Sequence, residues 1–247
     1  MISKWLCFKS KIPHRPGVYI FKNSSGQVLY VGKAIDLYHR VSSYFQISHP
    51  VARPGHAPGV IPKQKILVNQ IAQVVTITVQ SELEALILEA NLIKKYLPPF
   101  NVKLTDDKDY LYIIITKGDF PETLTVRKKD LLLVKKYWGP FPSSKTVRET
   151  LKSLRKVFPW CSNPHIAKIR FRPCFYYHLG QCPGACIGLI SKKDYSKIIN
   201  RFSKFMDGKK EELVSELIKE MEQESEAARF EEAARIKKIL DGITYLT

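Results

Sequence analysis

Negative charge is what this sequence has little of. Against 40 Lys and Arg stand only 23 Asp and Glu among 247 residues, a formal net charge of +17. Such an excess calls for a polyanionic partner such as nucleic acid, through counterion release at phosphate contacts, with a generally lysine-rich surface as the plain alternative. Long apolar runs are missing as well. None approaches the roughly 20 residues of a membrane span, which excludes a membrane role for this stretch. The short Trp5-Leu6-Cys7-Phe8 run among Lys4, Lys9 and Lys11 is too weak for a secretory signal, so a cytoplasmic location is expected. There is no internal repeat and no low-complexity tract. The 45% hydrophobic content is that of an ordinary folded chain, long enough for one large domain or two to three small ones.

The charge is unevenly spread. Residues 207–241 carry 11 acidic and 7 basic side chains, a net of −4, which leaves +21 on the first 206 residues. The basic part suits nucleic acid, and the acidic tail suits a protein.

Gly17-Val18-Tyr19 and Tyr30-Val31-Gly32-Lys33 flank Asn23-Ser24-Ser25-Gly26, which predicts a β-hairpin with a polar turn. Period-2 alternation puts Tyr19 with Phe21 on one face, and Val28, Tyr30 and Gly32 on one face. Gly32 then leaves a gap beside Tyr30 where a phosphate could approach, with Lys33 as a nearby point charge. An amphipathic hairpin with half-packed tyrosines is the ordinary alternative. Asp36 opens a predicted helix to Phe45, on which Arg40 and Tyr44 share a face. Residues 48–62, rich in proline and holding His49 and His56, read as a loop. A helix at 63–73 and a strand at 74–79 precede Ser81-Glu82-Leu83-Glu84, a capping box. It opens a largely apolar helix that Pro98-Pro99 stops. Glu89 sits at the margin of its core stripe, and a carboxylate there needs a partner, either a divalent cation or a Lys or Arg.

Strands are predicted at 110–116, 124–128 and 131–136, then a helix capped by Ser143 or Ser144, another at 191–206, and a helical hairpin at 209–245. Asp106 and Asp107 read as solvated turn residues. Four of the five cysteines fall within 26 positions, Cys161, Cys174, Cys182 and Cys186, which suggests a metal site more than disulfides. His165 and His178 lie close by, but four thiolates already complete a tetrahedral site. Cys7 is isolated and reads as structural. Lys168, Arg170, Arg172, Tyr176 and Tyr177 could contact DNA or only pack on the cluster.

The run PGVYIFKNSSGQVLYVGKAIDLYHRVSSYF, together with LEANLIKKYLPPFN, resembles the GIY-YIG nucleases of the UvrC family. The resemblance implies an α+β fold: a GIY-YIG domain at 1–103 with a mixed sheet flanked by helices, a cysteine-cluster region at 104–200, and a helical hairpin at 201–247. It implies a DNA endonuclease of nucleotide excision repair that acts on damaged double-stranded DNA. Tyr19, Tyr30, Lys33, Arg40, Tyr44 and Asn101 would be its catalytic residues, Tyr30 the candidate general base, and Glu89 the anchor of Mg²⁺ or Mn²⁺. Lys33 and the cation would have to favour the Tyr30 phenolate. RPCFYYHLGQCPGAC resembles the cysteine motif of the same family, which implies a [4Fe-4S] cluster, with zinc on the same thiolates as the close competitor.

The stretch ARFEEAARIKKILDGI resembles the UVR motif that meets UvrB, which implies partner contacts at Phe230, Ala233, Ala234 and Leu240. UvrC proteins continue into a second nuclease half that has no counterpart in these 247 residues. Only the incision 3′ to a lesion is therefore expected. A non-catalytic module binding DNA and UvrB is the alternative reading, and a free-standing homing-type or restriction-type enzyme a third, disfavoured by the cysteines and the tail.

Overall fold

The computed structural model describes residues 6–46, 63–103, 110–141, 143–161 and 172–246. Expectations for His49, His56, Asp106, Asp107, His165, Lys168 and Arg170 fall outside them. The chain forms two compact units, Met1–Asp107 and Lys108–Thr247.

In the first unit, strands β1 (Gly17–Lys22) and β2 (Val28–Ala34) form the predicted hairpin. Its turn is held by the Asn23 side-chain carbonyl, which accepts from the N–H groups of Ser25 and Gln27 at 3.1 and 2.9 Å. Strand β3 (Gln73–Thr78) pairs with the other edge of β1, giving the order β2-β1-β3. The sheet expected as mixed is antiparallel at both pairings.

The register of β1 on β2 breaks where Phe21 faces Tyr30 and Lys22 faces Val28. Leu29 is the extra residue of a β-bulge, so it packs in the same cluster as Tyr30, while Val28 packs in the opposite one. The expected sharing of a face by Val28, Tyr30 and Gly32 therefore fails at Val28. Simple alternation cannot cross a bulge.

Each face of the sheet is buried differently. On one, Tyr19, Phe21 and Leu29 pack with Leu37, Val41 and Phe45 of helix α1 (Leu37–Phe45) and with Leu67 and Val68 of α2 (Lys63–Gln70). On the other, Val18, Ile20, Val28 and Val31 meet Ala85 and Ile93 of α3 (Glu82–Tyr96), with Leu88 and Leu92 alongside. The result is helix, sheet, helix in three layers. Helix α3 starts as the sequence predicts, with Ser81 Oγ accepting from the Glu84 N–H at 3.1 Å, although Glu84 reaches back to the N–H of Gln80. Leu97, at φ 44°, ends it, and a short helix α4 (Pro99–Lys103) brings Asn101 back to the sheet.

The second unit is built on an antiparallel sheet ordered β5-β4-β6, with β4 (Leu111–Thr116) central, β5 (Thr123–Arg127) and β6 (Val134–Phe141). The strand expected at 131–136 begins later, because Lys128–Leu133 turns as a 3-10 helix. Helices α5 (Ser144–Val157) and α7 (Lys192–Met206) flank a one-turn helix α6 (Phe175–His178). The hairpin of α8 (Lys210–Glu226) and α9 (Phe230–Leu246) follows. It is attached to this unit by both arms. Arg201 and Lys204 of α7 pair with Glu220 and Glu216 of α8, and a Cβ on Gly242 of α9 would come within 2.7 Å of Val157 of α5.

Gly17 is where β1 and β3 come closest: a Cβ there would meet the Ile77 carbonyl oxygen at 2.2 Å and Leu37 at 2.8 Å. Gly17→Ala should therefore push the strands apart and cost about 2 kcal/mol, within the ordinary range for overpacking. A urea midpoint unchanged from that of the parent chain would contradict this reading.

Candidate active site

Three tyrosines converge on one face of the hairpin. Tyr19 is fully buried, Tyr44 nearly so, and Tyr30 keeps part of its ring in solvent. Their ring centroids are 5.8 to 6.2 Å apart, and the hydroxyls of Tyr19 and Tyr44 are hydrogen-bonded at 2.9 Å. The Arg40 guanidinium sits 5.5 Å above the Tyr44 ring and remains exposed.

Gly32 does not open a gap for phosphate, as its position beside Tyr30 suggests. A Cβ on it would be 2.4 Å from the Tyr19 hydroxyl and 2.9 Å from the Tyr30 ring, so the missing side chain makes room for Tyr19. Glycine here serves the packing of the tyrosines.

The free edge of β2 is held by side chains. Asn101 accepts from the Val31 N–H and donates to the Val31 carbonyl, both at 2.8 Å. Glu89 Oε1 accepts from the Lys33 N–H at 3.0 Å. Lys33 itself turns its ammonium to Glu82 at 2.5 Å. Glu89 is 9% exposed and, among the described residues, has no ion-pair partner.

Burial raises the Glu89 pKa above its ordinary value, opposed by the Lys33 N–H and by the charges of Lys33 and Arg40. Such a carboxylate, with one oxygen committed to the backbone, has the hard oxygen chemistry that suits Mg²⁺ or Mn²⁺ completed by waters. Burial also raises the pKa of Tyr30, helped by Tyr44 and Glu89, and raises that of Tyr19, helped by Tyr30 and Tyr44. Lys33 and the cation together would have to favour a Tyr30 phenolate, and of the two Lys33 does not give that help here. The ammonium is engaged with Glu82, and desolvation dominates.

In the second unit the four cysteines share a neighbourhood, although among the described residues no three of their thiols lie within 4.8 Å of one another. Cys161, Cys182 and Cys186 are buried, and the Cys161 thiol is close enough to both of the others to raise their pKa values. Cys174 is half-buried and adds its charge to the same neighbourhood. Two residues that sequence inspection passed over organise this region. Arg155 donates to the carbonyls of Gln181 and Trp160 at 3.0 and 2.8 Å and stacks on the Tyr176 ring at 3.7 Å. The Tyr195 hydroxyl accepts from the Cys161 N–H at 3.1 Å and donates to the Pro121 carbonyl at 2.7 Å. A signal for Arg155 did exist in the sequence. It stands four residues after Leu151, at the spacing of the apolar stripe of α5, where an arginine is easily read as surface charge alone.

On the hairpin, Phe230 is 67% exposed, Ala234 is exposed, and Ala233 and Leu240 are half-buried, while Leu213, Leu217, Ile236 and Ile243 close the helix pair. Among the described residues no helix is long and apolar enough to cross a membrane.

With this geometry in hand, comparison with known proteins is informative. Residues 15–102 match the UvrC-like GIY-YIG domain, and residues 110–205 match the UvrC/Cho excinuclease middle domain. The UvrABC system protein C of Caldanaerobacter subterraneus subsp. tengcongensis is 43% identical over 232 residues, which cover 92% of this chain and 36% of that protein. Its counterpart in Lawsonia intracellularis is 42% identical over 241 residues, covering 96% and 37%. The chain thus spans little more than a third of the length of these relatives. A solved GIY-YIG N-terminal endonuclease domain of UvrC from Thermotoga maritima, bound to magnesium as its catalytic divalent cation, is 40% identical. The likeness covers 41% of this chain and 99% of that one, with a TM-score of 0.33.

The raised tyrosines make a pH prediction. A hydroxyl whose folded pKa is raised contributes stability that is full below the unfolded value of 10.0 and is lost as pH rises through the folded one. The chain should lose stability from about pH 10 upward, and Tyr19→Phe should make that loss shallower. Denaturant unfolding followed across this range, with tyrosinate absorbance as the second probe, checks it; equal slopes in the two proteins would refute it.

Proposed function

This chain belongs to the UvrC family, with a GIY-YIG endonuclease domain at residues 15–102, and from that premise we propose that it cuts damaged DNA in nucleotide excision repair. The cut would fall on the 3′ side of the lesion after recruitment by UvrB. The observation that carries this reading is the convergence of Tyr19, Tyr30, Tyr44 and Arg40 beside a buried Glu89 that, among the described residues, has no ion-pair partner.

The side chains divide the work. Arg40 is the exposed cation of the site, and its planar fork suits two phosphate oxygens as charge develops on them. Its pKa is raised, foremost by the neighbouring Tyr19 and further by Tyr44 and Tyr30, so it stays charged throughout. Tyr30 is the tyrosine of the three that is only half-buried, and its hydroxyl would bind the attacking water. As a resting phenolate it is opposed by burial. Tyr19 and Tyr44, bonded to each other, keep Tyr30 and Arg40 in position. Asn101 and the Lys33 N–H set the height of β2 against Glu89. Glu89 would hold Mg²⁺ or Mn²⁺, which when bound supplies Lewis-acid neutralisation of the scissile phosphate.

The basic first 206 residues supply non-specific affinity for the duplex. The exposed Phe230 and the acidic face of the hairpin supply the UvrB contact, where a protein is a better partner than phosphate. The four cysteines would hold a [4Fe-4S] cluster, three of them buried near one another, with side-chain rotations needed to bring the thiolates into one soft-donor set.

Incision of a site-specifically damaged duplex with UvrB, ATP and Mg²⁺ is the direct test. A single nick 3′ to the lesion is expected. Glu89→Gln, which keeps an acceptor for the Lys33 N–H but loses the charge, should lower the rate at least about 100-fold, nearly 3 kcal/mol of barrier, without loss of fold. Full activity in that variant would remove Glu89 from the chemistry. For the second unit, anaerobically purified protein should contain iron and acid-labile sulfide in equal amounts, and Cys182→Ser should lose both. Stoichiometric zinc without sulfide would decide for the competing ion.

A further inference from the structure

A second group of metal-binding side chains lies apart from Glu89 and from the cysteines. Among the described residues it is the group of three whose donor atoms all fall within 4.8 Å of one another: His14, Asp36 and His39. His14 Nδ1 is 3.0 Å from Asp36 Oδ2, and His39 Nε2 is 3.8 Å from the same oxygen. We infer that these three residues bind a borderline divalent cation of the Zn²⁺ class where the segment leading into β1 meets the first turn of α1.

The spacing fits. Zn–N and Zn–O bonds of about 2.0 to 2.2 Å in a tetrahedron put neighbouring donors about 3.3 to 3.5 Å apart, which the two observed distances bracket. The third separation, between the two imidazole nitrogens, also lies within 4.8 Å, and side-chain rotation would close the set.

The donor types fit as well. Two imidazoles and a carboxylate form the nitrogen-rich set that borderline cations prefer, whereas a lone carboxylate such as Glu89 suits a hard ion. The two sites would therefore sort cations by chemistry.

The carboxylate is already oriented. Asp36 caps α1 by accepting from the His39 N–H through Oδ1 at 2.8 Å, which leaves Oδ2 turned toward the two rings. That backbone hydrogen bond, and then His14, hold its carboxyl below its ordinary pKa, so it is ionised and ready to ligate. His14 is stacked on Tyr38 at 4.2 Å, and its ring meets that of His39 edge-on at 5.2 Å. The Leu37 N–H donates to the Arg15 carbonyl at 3.1 Å, so the backbone already joins the two segments. Both imidazoles are largely exposed, with 57% and 75% of the side chain accessible, and this leaves coordination positions for water.

Occupancy would clamp two segments 22 residues apart at the start of the helix that carries Arg40 and Tyr44. Anything that binds the folded state alone stabilises it by mass action. The cation would thus steady the helix without touching the reacting atoms.

The test uses the full chain and Zn²⁺ itself. After chelator treatment, equilibrium dialysis should find one Zn²⁺ fewer per chain in the His14→Ala, His39→Ala double variant than in the parent. The cysteines are intact in both, so the difference counts this site alone. The parent should show a Zn²⁺-dependent rise in Tm that is reduced in the double variant. With Co²⁺ it should gain a ligand-field absorption that the variant lacks, at equal thiolate charge-transfer intensity. His39→Ala alone, which keeps the backbone cap and the His14 stack, should reproduce the loss. Equal Zn²⁺ uptake by parent and variants would overturn the assignment, whatever the nuclease activity of either.

Discussion

The outer edge of β2 is the constraint on which the first unit depends. An edge strand presents backbone donors and acceptors that no neighbouring strand covers, and leaving them buried and unpaired costs roughly 1 to 3 kcal/mol each. Here Asn101 satisfies Val31 twice and Glu89 satisfies Lys33. These contacts tie α3 and α4 to the strand that carries Tyr30. They also decide where Glu89 sits, since a carboxylate held by a backbone N–H cannot drift toward the nearest lysine. The edge that would otherwise invite another strand is thus turned into the wall of a site.

The tyrosine face shows how packing and reactivity are set by the same residues. Gly32 has no side chain because the Tyr19 phenol occupies its place, and the bulge at Leu29 turns Tyr30 onto the same face. Three phenols packed this closely lose solvent: desolvation of the charged form raises both Tyr19 and Tyr30, and at Tyr19 it outweighs the nearby cation of Arg40. Burial thus favours the neutral hydroxyl at Tyr19 and Tyr30. The cluster's one exposed cation, Arg40, stands at the rim, where an anionic substrate would meet it first.

The second unit solves a different problem. Cysteines drawn from positions 161 to 186 must be brought together across turns that bury little apolar area. Arg155 does this by bonding two carbonyls on either side of the cluster while stacking on Tyr176, and Tyr195 does it from the opposite helix. A buried arginine that satisfies backbone carbonyls is worth its desolvation only when several partners meet it at once, as they do here. In the helical hairpin, Glu220 and Glu216 of α8 pair with Arg201 and Lys204, while Phe230 at the start of α9 stays exposed.

Much of this was legible in the chain itself. The hairpin, the Asp36 and Ser81 caps, the cap at Ser143 or Ser144, and the apolar stripe of α3 follow from short-range chemistry, in which a residue and its neighbours within one turn decide the outcome. Motif resemblance placed the tyrosines, Arg40, Glu89, Asn101 and the cysteines. What the sequence could not decide were the contacts between residues far apart in the chain. The diversion of Lys33 to Glu82, the reservation of the Gly32 space for Tyr19, and the bulge that reverses Val28 each depend on which side chains already fill the neighbourhood. The same is true of Arg155 and of the meeting of His14 with Asp36 and His39. Periodicity says which face a residue takes, and only the packed structure says what stands opposite it.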